Sequence, residues 1–110
     1  MLRESSSYVI ARNETWSGDS ASEPVEAGWA TEAVFFVRAL TAPTGVMPDA
    51  FVEISADGMH WLREGTSAAM SDTVNGVSAL RVARFGNWLR VRAILPEGSE
   101  CVVLVTLHLK

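Results

Sequence analysis

Apolar and polar positions alternate with a period of two through most of residues 50–110, which predicts successive β-strands joined by short turns. Gly58, in the sequence Ala-Asp-Gly, and Gly98, in Pro-Glu-Gly, supply residues that readily take the positive φ of tight turns. No comparable stretch has helical periodicity. The predicted strands in this part of the chain are residues 50–55, 59–63, 77–83, 88–95 and 101–109.

The strongest strand pattern lies earlier, at residues 31–41, and both of its faces are apolar. Val34 and Phe36 alternate with Phe35 and Val37. One of these faces must line a core. The other needs a cover, either from elsewhere in the chain or from another subunit.

The segment before this strand is polar and irregular. A short strand is predicted at residues 7–13, and residues 14–28 are rich in Ser, Glu, Gly and Asp, which predicts a long loop or extended arm. Such a long irregular segment in a small domain is often a binding or assembly element. Residues 65–73 are small and polar and are interpreted as a second loop.

Together these patterns predict a single all-β domain, an antiparallel β-sandwich of the jelly-roll kind with seven or eight strands. Residues 31–110 form the sandwich. Residues 1–30 form an N-terminal strand and acidic arm that packs on the domain or on a neighbour.

Charge is distributed unevenly between these two parts. Of the 110 residues, 13 are acidic and nine are Lys or Arg, giving a net charge of −4. All of the excess lies in residues 1–32, which hold six acids and two bases. An acidic arm argues against nucleic acid as a partner, because phosphate contacts require local positive charge.

Membrane insertion and secretion are not expected. The longest apolar run, residues 33–37, is too short to span a bilayer, and the first residues lack the apolar core of a signal peptide. A cytoplasmic protein, or one assembled in a host cytoplasm, is therefore expected.

Motifs for catalysis and metal binding are sparse. His60 and His108 lie far apart, no compact zinc-ligand spacing occurs, and no dense acidic calcium loop is present. No serine lies in a nucleophile-elbow motif. Cys101 lies among valines and is expected to be a small buried hydrophobe. We therefore expect a protein that is not an enzyme and needs no cofactor or metal.

Aromatic and arginine side chains are the remaining candidates for function. Trp16 and Trp29 bracket the acidic arm and are predicted to anchor it to the sandwich or to a neighbour, with plain core packing or a sugar-stacking platform as alternatives. Three arginines are predicted to form a basic row on one outer face, either paired with acids such as Glu53 or contacting acids of another copy. The candidate interface residues are Trp16, Trp29, Phe35, Phe36, Arg38, Arg90 and Arg92.

Two segments resemble a known family. V-E-I-S-A-D-G-M-H-W at residues 52–61 and F-G-N-W-L-R-V-R-A-I-L at residues 85–95 resemble paired elements of galactose-binding-like (discoidin-type) β-sandwiches. The same pair recurs in small β-sandwiches among phage and prophage structural proteins. The resemblance implies a galactose-binding-like sandwich, although the chain is too short for the loops that usually carry the ligand site.

The expected function is that of a non-enzymatic structural protein of a virion, such as a head decoration, cement or spike-base subunit. It would act as a homo-oligomer and contact itself and a shell or capsid protein. A carbohydrate-binding module that grips a glycan through tryptophans is the alternative.

Overall fold

The structure, a computed structural model, describes residues 5–110, so residues 1–4 of the predicted N-terminal segment lie outside the described part. Every regular element in residues 5–110 is a β-strand. The strands are β1 (Ser6–Trp16), β2 (Asp19–Ala21), β3 (Val25–Glu26), β4 (Glu32–Ala39), β5 (Asp49–Ser55), β6 (Leu62–Ala69), β7 (Val77–Ala83), β8 (Trp88–Ile94) and β9 (Cys101–Leu109).

The strands pair in nested order: the first pairs with the last, and each following strand pairs with the one before it from the other end, down to the central hairpin. β1 pairs with β9, β2 and β3 with β8, β4 with β7, and β5 with β6, all antiparallel. Two further pairings, β4 with β9 and β5 with β8, complete two sheets. The sheet with order β1-β9-β4-β7 is called the front sheet, and the sheet with order β2/β3-β8-β5-β6 the back sheet.

This arrangement confirms the predicted antiparallel β-sandwich. With β2 and β3 counted as one interrupted strand, the eight strands have the order of a jelly roll. The predicted bounds of β7 and β9 are confirmed, and those of β4, β5 and β8 differ by no more than two residues from the observed ones.

The predicted arm at residues 14–28 is the main correction to the fold. β1 continues to Trp16, and β2 and β3 then join the back sheet by pairing with β8. Ser22 occupies the break between them, where its backbone N–H donates to the Val91 carbonyl and its Oγ accepts from the Val91 N–H. The segment is polar because an edge strand exposes most of its side chains, not because it is irregular.

β6 corrects the second predicted loop. Residues 65–69 belong to this strand, although three of the five are Gly or Ala, which are depleted in strands. β6 is an edge strand whose backbone pairs with β5, and its burial alternates position by position. Pairing with β5 therefore overrides the weak local preference.

The core lies between the two sheets and is built from the inward side of each strand. Phe35 on β4 and Leu107 on β9 are fully buried neighbours in the front sheet. Leu89 and Val91 on β8 contribute to the same core from the back sheet and are likewise fully buried. Cys101 is 2% exposed, as predicted, and burial raises the pKa of its thiol.

Candidate interaction surface

The outer face of the front sheet carries a cluster of apolar side chains that no strand of residues 5–110 covers. β4 and β9 are its two central strands, and Phe36 lies level with Ala79 on β7 and Thr106 on β9. Val77 and Val9, on the two edge strands, are 53% and 44% exposed. We call this surface the front face. Its outward residues include Ser7, Val9, Glu32, Val34, Phe36, Arg38, Val77, Ala79, Arg81, Ala83, Val102, Leu104, Thr106 and His108.

Phe36 is held in place by a contact with the neighbouring strand. The ring of His108 meets it edge to face, with 5.2 Å between centroids and an interplanar angle of 84°. Ser7 Oγ lies 2.9 Å from His108 Nδ1 and orients that imidazole. The half-buried phenylalanine is therefore part of an ordered surface.

The outer face of the back sheet is covered by charged groups that pair with one another. Glu53 on β5 is only 4% exposed in its side chain and accepts from Arg90 Nε at 2.7 Å and from Arg92 Nη1 at 3.2 Å. Arg92 also forms a two-bond ion pair with Asp19 of the N-terminal segment. The hydrogen bonds from Arg92 lower the pKa of Asp19, and the same contact raises the pKa of Arg92.

Arginine side chains also cover two aromatic rings, Phe51 on β5 and Trp61 in the turn before β6. The Arg63 guanidinium lies 3.8 Å from the centroid of Phe51, and that of Arg90 lies 4.2 Å from the centroid of Trp61. These are cation–π distances. The three arginines of this face are thus engaged within their own chain, which leaves it less available to a partner than the front face.

The prediction of one basic row is wrong. Arg38 lies on β4 in the front sheet, whereas Arg90 and Arg92 lie on β8 in the back sheet. Arg38 is exposed, and its Nη2 donates to Asn75 Oδ1 at 3.0 Å. The predicted pairing of Arg90 with Glu53 is present, and the arm acid that meets Arg92 belongs to the same chain.

The aromatic candidates divide between core and surface. Trp16 is 2% exposed and Phe35 is fully buried, so neither side chain is available on the surface of a single folded chain. Trp16 therefore anchors the N-terminal segment to its own sandwich. Trp29, at 44% exposure, and the half-buried Phe36 are the two that a partner could contact.

One cluster brings together the residue types of a serine hydrolase, in the turn between β5 and β6. Ser55 Oγ donates to Asp57 Oδ1 at 2.9 Å, and His60 Nδ1 lies 2.6 Å from Asp57 Oδ2. In a catalytic triad the imidazole lies between the hydroxyl and the carboxylate. Here the carboxylate lies in the middle, and Ser55 Oγ accepts the backbone N–H groups of Asp57 and Gly58. The cluster is a hydrogen-bonded turn and lacks the geometry that activates a serine.

The same turn has a measurable electrostatic signature. Backbone and side-chain hydrogen bonds from His60 lower the pKa of Asp57, and the Asp57 hydrogen bond raises the pKa of His60. The contribution of Asp57 to stability is complete above pH 3.8, the ordinary pKa of an aspartate. It is lost as the pH falls through the lowered pKa of Asp57. The contribution of His60 to stability is complete below pH 6.5, the ordinary pKa of a histidine. It is lost as the pH rises through the raised pKa of His60.

We expect Asp57→Asn to lower the pKa of His60 towards the ordinary value of 6.5, because the neutral amide no longer favours the imidazolium. An NMR titration of the His60 ring protons in both proteins measures the shift. Glu97→Gln, which removes a carboxylate from the exposed turn before β9, is the matched control and should leave the His60 titration unchanged. An unchanged midpoint in the Asp57 variant would contradict the assigned ion pair.

Other chemistry has little support in the geometry. Among residues 5–110, no three His, Cys, Asp or Glu side chains are grouped so as to hold a metal ion. In the same range there is no helix with the length and apolar character needed to cross a membrane. A cleft of about 350 Å³ opens beside the β5–β6 turn, and no charged side chain lines it. It is lined by Ile54, Ser55, Ala56, Leu62, Phe85, Gly86 and Asn87.

Sequence comparison adds no relative to this description. No protein-family model matches the chain, and no curated protein matches it significantly.

Proposed function

We propose that this protein is a non-enzymatic structural subunit that assembles with copies of itself as a component of a virion. Head decoration, cement or spike-base subunit are the roles that fit. The observation that carries the proposal is the front face, a half-buried apolar sheet surface with Phe36 near its centre and no strand of residues 5–110 over it.

The contrast between the two outer faces supports this proposal. On the back sheet, charged residues pair with one another and stack on the aromatic rings. On the front sheet, Phe36 lies among Val34, Ala79 and Thr106, and the charges of the central strand β4, Glu32 and Arg38, lie near its two ends. Contiguous exposed apolar surface rimmed by polar residues is typical of protein–protein contact sites.

Two further observations favour a virion component. The jelly roll is a recurrent architecture of viral capsid domains, although a fold alone does not determine function. The segments at residues 52–61 and 85–95 resemble elements of phage structural β-sandwiches. Assembly in a host cytoplasm, with self and a shell or capsid protein as partners, follows from this proposal.

A carbohydrate-binding module is the second candidate, because jelly rolls also serve as lectins and Trp29 is exposed. The other tryptophans favour it less. Trp16 is buried, one face of Trp61 is occupied by Arg90, and the Trp88 ring packs against Gly58. A glycan-induced change in tryptophan fluorescence that is lost in Trp29→Ala would favour this candidate.

The mass of the purified protein in solution tests the first candidate. We expect size-exclusion chromatography with light scattering to give a whole-number multiple, two or more, of the 11.9 kDa chain mass. The fraction assembled should increase with concentration, as for any reversible association. A mass of one chain throughout the micromolar range would contradict a self-assembling structural subunit.

A further inference from the structure

We propose that the front face is a two-fold contact with a second copy of this chain, in which Glu32 of each copy pairs with Arg38 of the other. This inference rests on the proposed self-assembly and adds its surface, its symmetry and the residues that set its register. The evidence lies in the order of the outward residues of β4.

The outward side of β4 has an acid at one end, a base at the other and apolar residues between them. Reading outward positions along the strand gives Glu32, Val34, Phe36 and Arg38. Glu32 and Arg38 are both exposed. Within residues 5–110 neither side chain forms an ion pair in its own chain.

A two-fold axis that crosses β4 at the level of Phe35 makes this pattern self-complementary. Such an axis lies between the two faces, at right angles to the strands, and reverses the strand direction of the second copy. It exchanges position 32 with 38 and position 34 with 36. Each acid then faces a base, and Phe36 of each copy faces Val34 of the other, as an isologous contact requires.

The neighbouring strands are compatible with the same axis. Phe35 is level with Leu107 on β9 and with Leu80 on β7. The axis therefore places His108 opposite Thr106 of the second copy, and Arg81 opposite Ala79. On these three strands no outward charge lies opposite a like charge.

The other face-to-face two-fold arrangement is disfavoured. An axis that runs directly above β4 and parallel to it would stack each residue of the strand on its own counterpart, so that Arg38 would face Arg38 and Glu32 would face Glu32. Like charges directly opposed across an interface are costly, so the charge order selects the axis at right angles to the strands.

The distances suit the proposed pairs. Two packed sheets lie about 10 Å apart, with strands aligned to within about 30°. The side chains of Arg and Glu, extending from opposite faces, span that gap. β4 is a central strand of the front sheet, so the rotation between the sheets displaces its residues less than those of the edge strands.

The proposal is tested by charge reversals at the two positions, followed by mixing. In Glu32→Arg, an arginine faces Arg38 at both symmetric sites, and in Arg38→Glu, a glutamate faces Glu32 at both. We expect each variant alone to weaken association about tenfold or more in low salt. An equimolar mixture restores both pairs in the heterodimer, which should associate within about threefold of the original protein.

Sedimentation or light scattering of the two variants and their mixture gives these values. Circular dichroism of each variant checks that its strand content is unchanged. Glu97→Arg, a charge reversal in the exposed turn before β9, is the matched control and should associate normally. Phe36→Asp should abolish the contact.

The outcomes separate this inference from the proposed function. If the protein assembles but neither reversal weakens it, the front-face contact is overturned and self-assembly stands. If each reversal weakens assembly but the mixture does not recover, the two-fold register is overturned. If the original protein remains a monomer, both are overturned.

Discussion

Replacing Phe35 with alanine is expected to lower the free energy of unfolding by about 3–5 kcal/mol, the usual cost of truncating a buried phenylalanine. Phe35 is fully buried between the sheets, beside Leu107 and Leu80 in the front sheet. Truncation removes its apolar contacts and leaves a cavity that close-packed neighbours fill only in part. Urea unfolding followed by tryptophan fluorescence measures the change.

The adjacent Phe36→Ala is the matched control, with the same change in chemistry on the opposite face. Phe36 is half-buried, and its aromatic contact is the T-shaped pair with His108. We expect a loss of about 1 kcal/mol when both proteins are compared at concentrations that favour the monomer. Equal losses at the two positions would contradict the assignment of Phe35 to the core and Phe36 to the surface.

The choice between these phenylalanines shows where sequence reasoning stopped short. Alternation places Phe35 and Phe36 on opposite faces of β4, but both faces contain apolar residues. Arg38 shares the Phe36 face, and an unpaired arginine is rarely buried. Its presence was the available signal that Phe36 faces outward.

The position of the N-terminal segment could not be predicted from local pattern. Asp19 and Ser22 are typical turn residues, and their extended pairing with β8 depends on a strand about 70 residues later. Pairing overrides composition at this edge strand, and pairing with the preceding strand β5 does the same in β6. Compact strands with strong alternation, such as β7 and β9, were predicted correctly because local pattern and tertiary environment agree there.

The charged surface was predicted in its parts but not in its arrangement. The pairing of Arg90 with Glu53 follows from outward alternation on two strands. Whether Arg38 lies on the same face as Arg90 depends on which strands share a sheet. That is set by the nested order of pairing, which no short motif in this chain specifies. Stacking of Arg90 on Trp61 likewise needs the path of the turn after β5.

The second large effect is expected at Glu53, the acid that the two arginines of β8 share. Glu53→Ala should lower the free energy of unfolding by about 2–3 kcal/mol. Removing Glu53 leaves the Arg90 guanidinium without its carboxylate partner, whereas Arg92 keeps its ion pair with Asp19. The side chains of Arg90 and Arg92 are 22% and 28% exposed, so water relieves part of that cost and the loss falls below that of a fully buried pair.

Asp19→Ala provides the control, because it removes the other carboxylate that Arg92 contacts. The Asp19 side chain is 56% exposed, so its loss leaves Arg92 paired with Glu53 and accessible to water. We expect a much smaller destabilisation than in Glu53→Ala, and one that decreases further in high salt. If the two variants were equally stable, the Glu53 pairs would be ordinary surface ion pairs. The back sheet would then owe its order to apolar packing and to the stacking of arginine on Phe51 and Trp61.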